Sequence, residues 1–536
     1  PGGSRRPRSV STRHVDGPGW AGEARRGPRG RGRAGEVRLA PGHGRLQTVG
    51  PMSEYFRRLI RRDPPPAALI RFRCAKLHRA TVAGTDVSSS EYNTIYDVLK
   101  SRGWKESEND TEWHIFWADK DWIHGSYEKV HLDPYQHINH FLNHYELTRK
   151  DLLVKNMKRM RRQYEKDGNN ERAQQYNVYP VTYVVPQEYN MFVEEFKKHT
   201  GCTWIMKPVG RSQGTGIFLV SKLAQVQAWK PTNNWKPPPA NKDLEDEETK
   251  EGPETYVVQK YVDDPLVIGG KKFDIRLYVL VVGYQPLVVY MHRGGFCRFS
   301  MSRYSMDKNN MDNLGSHLTN VAIQKHLVKA SLKRTGGKWD VNYLRKYIHM
   351  IAGPEVVNKL FSAIEDIVIN SLLSVQKVMI SDKHAFELYG YDILIDKHFK
   401  PWLLEVNASP SLTANTVSDY DMKYGLLDDL MTLLDMEKYL SGNELQIGGF
   451  DLLYKDGLRF GPPDAAMYTS YLGCANNRSQ QLCKLAKTRA YDFAREGGKP
   501  PESAPKGPTA GPELRGVEPG RAGLRTCRPY PVDRVK

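Results

Sequence analysis

The chain has 536 residues, 39% of them hydrophobic, which is enough to bury a large core split over two or three packed units. Its formal net charge is +18, yet residues 1–50 carry net +8 and residues 497–536 net +4, so two thirds of the excess sits at the ends and says little about the middle. Six cysteines without a Cys-x-x-Cys pair point to reduced thiols, and no apolar run approaches a bilayer span or a signal segment, so a soluble cytoplasmic protein with no membrane contact is expected.

Residues 1–55 are rich in Arg, Gly and Pro and poor in large apolar groups, so burial cannot offset chain entropy there. They are expected to be disordered, largely an extension ahead of a natural start at Met52, and residues 491–536 to be a second disordered tail. Neither end has interleaved aromatics or an RNA or DNA module, so nucleic acid is not an expected partner. Residues 56–147 read as a small N-terminal αβ domain, with Trp104, Trp113, Trp117 and Trp122 punctuating the apolar stretches of 92–140.

A helix start follows. Thr148-Arg-Lys-Asp151 has the form of a capping box, and Leu152, Leu153, Met157 and Met160 recur at helical spacing behind it. Lys155, Lys158, Arg159, Arg161 and Arg162 lie among them, so the helix is basic and amphipathic; such charges suit a solvated face as well as an acidic partner. A second helix is expected over about 187–199, ended at Gly201. A strand at 203–207 leads into the glycine loop 208–216 and a strand at 217–220. The loop's backbone N–H groups suit phosphates, but its spacing is neither the P-loop nor the Rossmann pattern. Residues 231–254 form a polar acidic insert, and 256–259 a further strand.

Two later segments carry the chemistry. In the strand predicted at 270–279, Lys272, Asp274 and Arg276 alternate with Phe273, Ile275 and Leu277, so three ionic groups share one face. Lys272 and Arg276 suit phosphates, and Asp274 a ribose or a lysine; a cross-strand charge ladder has the same spacing. Further on, Asp392 ends Gly-Tyr-Asp in an apolar run, and Glu405 and Asn407 stand two apart in Leu-Leu-Glu-Val-Asn. Glu405 and Asn407 therefore share a face while Leu404 and Val406 pack the other way. Asp392, Glu405 and Asn407 together read as oxygen ligands for magnesium beside a nucleotide; carboxylates satisfied by a nearby Lys or Arg are the alternative.

Four motifs in this order, Lys272-Phe-Asp-Ile-Arg276, His317-Leu-Thr-Asn320, Gly390-Tyr-Asp392 and Glu405-Val-Asn-Ala-Ser-Pro-Ser-Leu412, resemble the tubulin tyrosine ligase-like family. The resemblance runs over about 92–484 and is greatest to the polyglutamylase branch. It implies an α/β (α+β) fold of ATP-grasp type, with a central subdomain over 148–265, a C-terminal subdomain with the metal site over 266–440, and a short segment over 441–490. It further implies ATP contacts from Lys207, Gln213 and Gly214, an adenine-holding hinge at Gln259, Lys260, Tyr261 and Val262, and γ-phosphate contacts from Thr319 and Asn320. Lys272 and Asp274 join the ATP site, and His317 is a structural neighbour.

By the same resemblance Arg298 and Lys338 hold the incoming glutamate, with Arg298, Lys272 and Glu405 the catalytic set. The implied reaction is magnesium-dependent ligation of free L-glutamate to γ-carboxyls in the C-terminal tails of α- or β-tubulin, through an acyl phosphate. A glycine or tyrosine ligase of the same fold, or a non-catalytic microtubule-associated scaffold subunit, are the other readings. Ala322 and Gln324 depart from many family members that act alone. The core is expected to close near residue 440, and without a long basic extension behind it the enzyme is expected to need partner subunits to reach microtubules. The cytoskeleton, and cilium or flagellum axonemes and basal bodies, are the implied location.

Overall fold

The computed structural model describes residues 69–74, 94–211, 214–229, 254–307, 310–320, 338–414, 416–438, 440–462 and 468–485. The expectations for both basic ends, for Gln213, Ala322 and Gln324 and for all but the last residue of the insert 231–254 fall outside the described residues. The rest is organised around three sheets.

The first sheet is parallel, in the order β2-β1-β3-β4: β1 (Arg71–Cys74), β2 (Lys105–Glu106), β3 (Ile115–Trp117) and β4 (His137–Ile138). Helices α1 (Thr94–Ser101) and α2 (Lys120–Ser126) make its crossovers. Trp104 and Trp113 are fully buried in it, as an αβ unit rich in tryptophan requires. Ile138 bridges to Ala385 and so ties this sheet to the third.

Helix α3 (Tyr145–Thr148) precedes α4 (Lys150–Lys166). The expected capping box is not formed. The Thr148 hydroxyl donates back to the His144 carbonyl (3.1 Å), and Arg149 takes the cap position with no side-chain bond. A threonine at the end of a helix can share the carbonyl four residues back with its own backbone N–H, as Thr148 does at His144, and a hydroxyl spent there does not cap the next helix. Along α4, Leu153, Val154 and Met157 are buried and Lys155, Arg159 and Arg162 exposed, while Lys158 is paired with Glu188 (3.0 Å).

The second sheet is antiparallel, in the order β5-β8-β6-β7, from β5 (Thr182–Val185), β6 (Trp204–Pro208), β7 (Phe218–Val220) and β8 (Tyr256–Lys260). Helix α5 (Asn170–Gln174) packs on α4, and α6 (Tyr189–Lys198) and α7 (Leu223–Trp229) pack against this sheet. Strand periodicity divides its faces. Trp204, Met206, Tyr256 and Val258 join Phe192 of α6 in a core, and Ile205, Lys207 and Gln259 face the opposite way, toward the cleft described below.

The third sheet has nine strands. Its path β14-β13-β10-β11-β16-β15 runs through β10 (Lys271–Tyr284), β11 (Leu287–Phe299), β13 (Glu387–Ile395), β14 (Pro401–Asn407), β15 (Gln446–Ile447) and β16 (Phe450–Lys455). Strands β9 (Val267–Ile268), β12 (Lys338–Asp340) and β17 (Leu458–Arg459) attach at its sides, and all its pairings are antiparallel. Helix α8 (Leu314–His317) lies before β12, and α9 (Val341–Gln376) after it. Helix α9 breaks at Gly353 (φ 84°), where Pro354 has no N–H to continue the ladder.

One face of this sheet, with Ile275, Leu277, Cys297 and Ile393, packs on Leu360, Ile364 and Val368 of α9. The other face, with Tyr278, Leu280 and Leu388, packs on α1 and on α10 (Val417–Leu433). The expected core limit near residue 440 is corrected by β16, which pairs with β11 and completes the sheet. A second correction concerns Leu404. The register slips between Asp392–Glu405 and Ile393–Leu403, so Leu404 is the extra residue of a β-bulge and turns into the cleft, while Val406 packs in the core as expected.

Candidate active site

A cleft with about 840 Å³ of empty volume opens between the second and third sheets. Its walls differ. Ile205, Ile217, Leu318, Leu394 and Leu404 give it an apolar side, and Lys207, Lys272, Asp274, Arg298, Asp392 and Glu405 a charged one. An apolar slot opening onto convergent charge is the usual form of a site for a ligand with a flat ring and an anionic tail.

The charged side comes from strand register. Asp274 stands opposite Arg298, Arg276 opposite Asp392, and Asp392 opposite Glu405, so neighbouring strands place these groups in one row. Arg276 holds Asp392 through both oxygens (2.6 and 3.2 Å). Arg298 grips Asp274 and also reaches Asp392 (2.7 Å). Burial by itself would raise the Asp392 carboxyl, but the two guanidiniums override it and hold the group well below the ordinary carboxylate range. Asp274, Arg276 and Asp392 are all buried, so the ladder is a satisfied ionic network and not a surface decoration.

Lys207 and Lys272 stand apart from it. Lys207 donates to the Gln259 side chain (2.8 Å), which is itself anchored on Thr182 (2.9 Å). Lys272 donates to the Tyr261 hydroxyl (2.8 Å), which meets His317 Nδ1 at 3.1 Å, and its ammonium lies 4.2 Å from the Tyr261 ring centre. Among the described residues neither lysine has a carboxylate within ion-pair distance. Burial lowers Lys207 to about 8 and Lys272 to about 7, against an ordinary 10.5. Two desolvated ammoniums on neutral partners are a standing demand for an anion.

Comparison with known proteins agrees with this geometry. The tubulin-tyrosine ligase family pattern matches residues 128–441. The mouse protein named probable tubulin polyglutamylase TTLL9 is 45% identical over 422 residues, covering 74% of this chain and 91% of that protein. The Caenorhabditis elegans probable tubulin polyglutamylase ttll-9 is 46% identical over 366 residues, 68% of this chain and 83% of that one. The Tetrahymena thermophila probable alpha-tubulin polyglutamylase Ttll1 is 43% identical over 384 residues, 68% and 90% respectively. The chain belongs to the tubulin-tyrosine ligase family.

Within this tubulin-tyrosine ligase family member, Lys207, Gly214, Gln259, Lys260, Tyr261, Val262, Lys272, Asp274, Arg298, Thr319, Asn320, Asp392 and Glu405 all line the one cleft. Asn407 sits just behind: its amide nitrogen is 3.5 Å from Asp392 Oδ2, 3.4 Å from Glu405 Oε1 and 3.3 Å from the Gly390 carbonyl. Three acceptors converging on one amide nitrogen mark a place suited to positive charge. Turning that amide over presents a third side-chain oxygen to the same place. The all-oxygen donor set thus fits a hard cation such as magnesium.

Two readings need correction. Arg276 is spent on Asp392 and does not line the cleft, so it is not a phosphate partner. Asp274 pairs with Arg298 and not with a lysine. Tyr261, expected in the adenine-holding hinge, lines the cleft and in addition places the Lys272 ammonium through its hydroxyl. His317 is held at both ring nitrogens, by Tyr261 and by the Asn310 carbonyl (3.0 Å), which suits a structural neighbour.

Lys338 lies directly opposite Arg298 on β12 and extends the row, bonded to Asp419 (2.9 Å), which also takes Lys423 (3.1 Å). Lys150 was missed. Its ammonium is 3.6 Å from Glu405 and lines the cleft, and its only signal in the sequence was its place at the start of a basic helix.

Proposed function

We propose that this chain is an ATP- and magnesium-dependent tubulin polyglutamylase that joins the amine of free L-glutamate to γ-carboxyls in tubulin C-terminal tails. The observation that carries it is the pair of desolvated ammoniums, Lys207 and Lys272, facing an oxygen-donor trio across one cleft in a member of this family. Asp392, Glu405 and Asn407 would hold the magnesium, which when bound neutralises phosphate charge. Ile205, Ile217 and Leu318 offer the adenine an apolar slot beside the 259–262 backbone, and Lys207 and Lys272 are the phosphate partners.

The chemistry needs no enzyme nucleophile. A tail carboxylate oxygen attacks the γ-phosphorus of ATP and ADP leaves; the glutamate amine then attacks the acyl carbon and inorganic phosphate leaves, giving the amide. What the protein supplies is position and charge: Arg298, fixed by two carboxylates, is aimed at the row where the reacting carboxylate gathers charge. Lys338 is the reason to prefer glutamate over glycine or tyrosine. Two ammoniums, Lys338 and Lys423, share Asp419, leaving positive charge beside Arg298 for a second substrate carboxylate. The exposed cations Lys155, Arg159 and Arg162 of α4 offer an acidic tail a surface along the same helix that brings Lys150 to the cleft. Such an enzyme works on the cytoskeleton, in this reading on axonemes and basal bodies.

The test is incorporation of labelled glutamate, glycine and tyrosine into microtubules by the full chain with ATP and magnesium, with and without extract of ciliated cells. Glutamate transfer abolished by Glu405→Gln supports the reading, and transfer only with extract adds a need for partner subunits. Transfer of glycine or tyrosine instead would replace the substrate assignment. No transfer sensitive to the substitution in either arm would favour a scaffold role.

A further inference from the structure

Away from the cleft, on the opposite side of β13, His140, His144 and Glu387 offer ligand atoms that all lie within 4.8 Å of one another. Their exposures are 2%, 0% and 0%. We propose that these three side chains form a buried zinc site that staples the 137–148 segment to β13, the strand that carries Asp392.

Hydrogen bonding fixes the ligand atoms. His144 Nδ1 is 3.0 Å from the Phe141 carbonyl, which can only accept, so Nδ1 carries the proton and Nε2 presents a lone pair. That Nε2 is fully buried and has no partner among the described residues. An orphaned buried lone pair is costly, and the ring that carries it lies beside the other two groups, its centre 5.3 Å from that of His140. Glu387 Oε1 is 3.0 Å from His140 Nδ1, and its other oxygen is steadied by the Phe141 N–H (3.2 Å). His140 Nε2 lies 3.4 Å from the Ser409 hydroxyl.

A zinc ion here takes His144 Nε2, one Glu387 oxygen and His140 Nδ1, whose proton moves to Nε2 and faces Ser409. Every ligand then keeps an outer hydrogen bond, to the Phe141 carbonyl, the Phe141 N–H and the Ser409 hydroxyl, as metal-bound imidazoles and carboxylates normally do. Two imidazoles and one carboxylate are a borderline donor set that favours zinc over calcium or magnesium, and three protein ligands leave one tetrahedral position for water. A plain His140–Glu387 pair explains only half of the arrangement, since it leaves His144 Nε2 idle.

The test uses the full chain, purified without a metal-affinity tag and stripped with a chelating resin. Titration with zinc, and with cobalt as a spectroscopic probe, is followed by metal analysis and thermal unfolding. About one zinc per chain, a raised unfolding midpoint and a nitrogen–oxygen cobalt spectrum are expected. His144→Ala, which removes the Nε2 ligand together with the Nδ1–H bond to the Phe141 carbonyl, should weaken zinc on the order of a hundredfold or more. It should leave magnesium-dependent nucleotide binding intact. Glu387→Gln serves as a second variant, and the cobalt spectrum of the unsubstituted chain decides the matter if both variants fail to fold. Absence of zinc uptake, a thiolate band in the cobalt spectrum, or unchanged zinc affinity in a folded His144→Ala chain would overturn the site.

Discussion

Replacing Glu405 by Gln separates the metal role from folding. The side chain is 28% exposed and its ion partner is Lys150 at 3.6 Å, so loss of its charge removes a partly solvated pair worth about 0–1 kcal/mol. The amide has nearly the same volume, and β14 keeps its register. As a metal ligand, however, the carboxylate is a preorganised charge contact, and losing one costs about 3–4 kcal/mol, or roughly 10²–10³ in rate. The assay is the initial rate of labelled glutamate incorporation at saturating ATP, run beside thermal unfolding of the same samples. A lost rate with an unchanged unfolding midpoint is expected. Turnover within about threefold of the unsubstituted chain, less than 1 kcal/mol, would refute the ligand assignment. A large fall in the midpoint would refute the claim that Glu405 contributes to function and not to the fold.

Asp392→Asn should behave differently: Arg276 loses both its carboxylate bonds while buried, so denaturant unfolding should show a loss of about 3–5 kcal/mol together with lost activity. Nucleotide binding should take up protons, because burial depresses Lys272 to about 7 and Lys207 to about 8 in the free chain and phosphate favours their charged forms. Affinity should therefore fall as pH rises from 7 through 8, and binding heats that do not depend on the buffer's ionisation enthalpy over that range would contradict this. Gly390→Ala should impair ligation without touching a ligand: an added Cβ would sit 2.8 Å from Pro410 Cβ and 3.3 Å from Arg276 Cδ, costing about 1–3 kcal/mol and displacing the loop after Asn407. A wild-type rate and unfolding midpoint in that variant would show that the loop has slack.

What could be read from the sequence was whatever lies within one strand. Lys272, Asp274 and Arg276 were placed on one face by their spacing alone, and Glu405 beside Asn407 likewise. Which cation meets which carboxylate was not legible, because Arg276 reaches Asp392 across 116 positions of chain and Asp274 meets Arg298 only through the β10–β11 register. Leu404 was misplaced because a bulge has no signature in an apolar run, and Thr148 because its hydroxyl found a carbonyl in a helix that the pattern did not reveal. The cluster of His140, His144 and Glu387 escaped for the same long-range reason: two histidines four apart look structural until a strand 247 positions beyond His140 supplies the carboxylate.

The two kinds of charge in the cleft divide its work. Arg276, Arg298, Asp274 and Asp392 neutralise one another within the third sheet, so their network is complete before any ligand arrives and can hold Glu405 and Asn407 in place. Lys207 and Lys272 come from separate sheets, are held among the described residues by neutral oxygens, and cost stability while unpaired with an anion. In the function proposed above, an anionic ligand between them would offset that cost and bridge the two sheets. The balanced ladder of Asp274, Arg276 and Asp392 tolerates burial, and the unbalanced cations Lys207 and Lys272 line the cleft, where a ligand's charge would complete the balance.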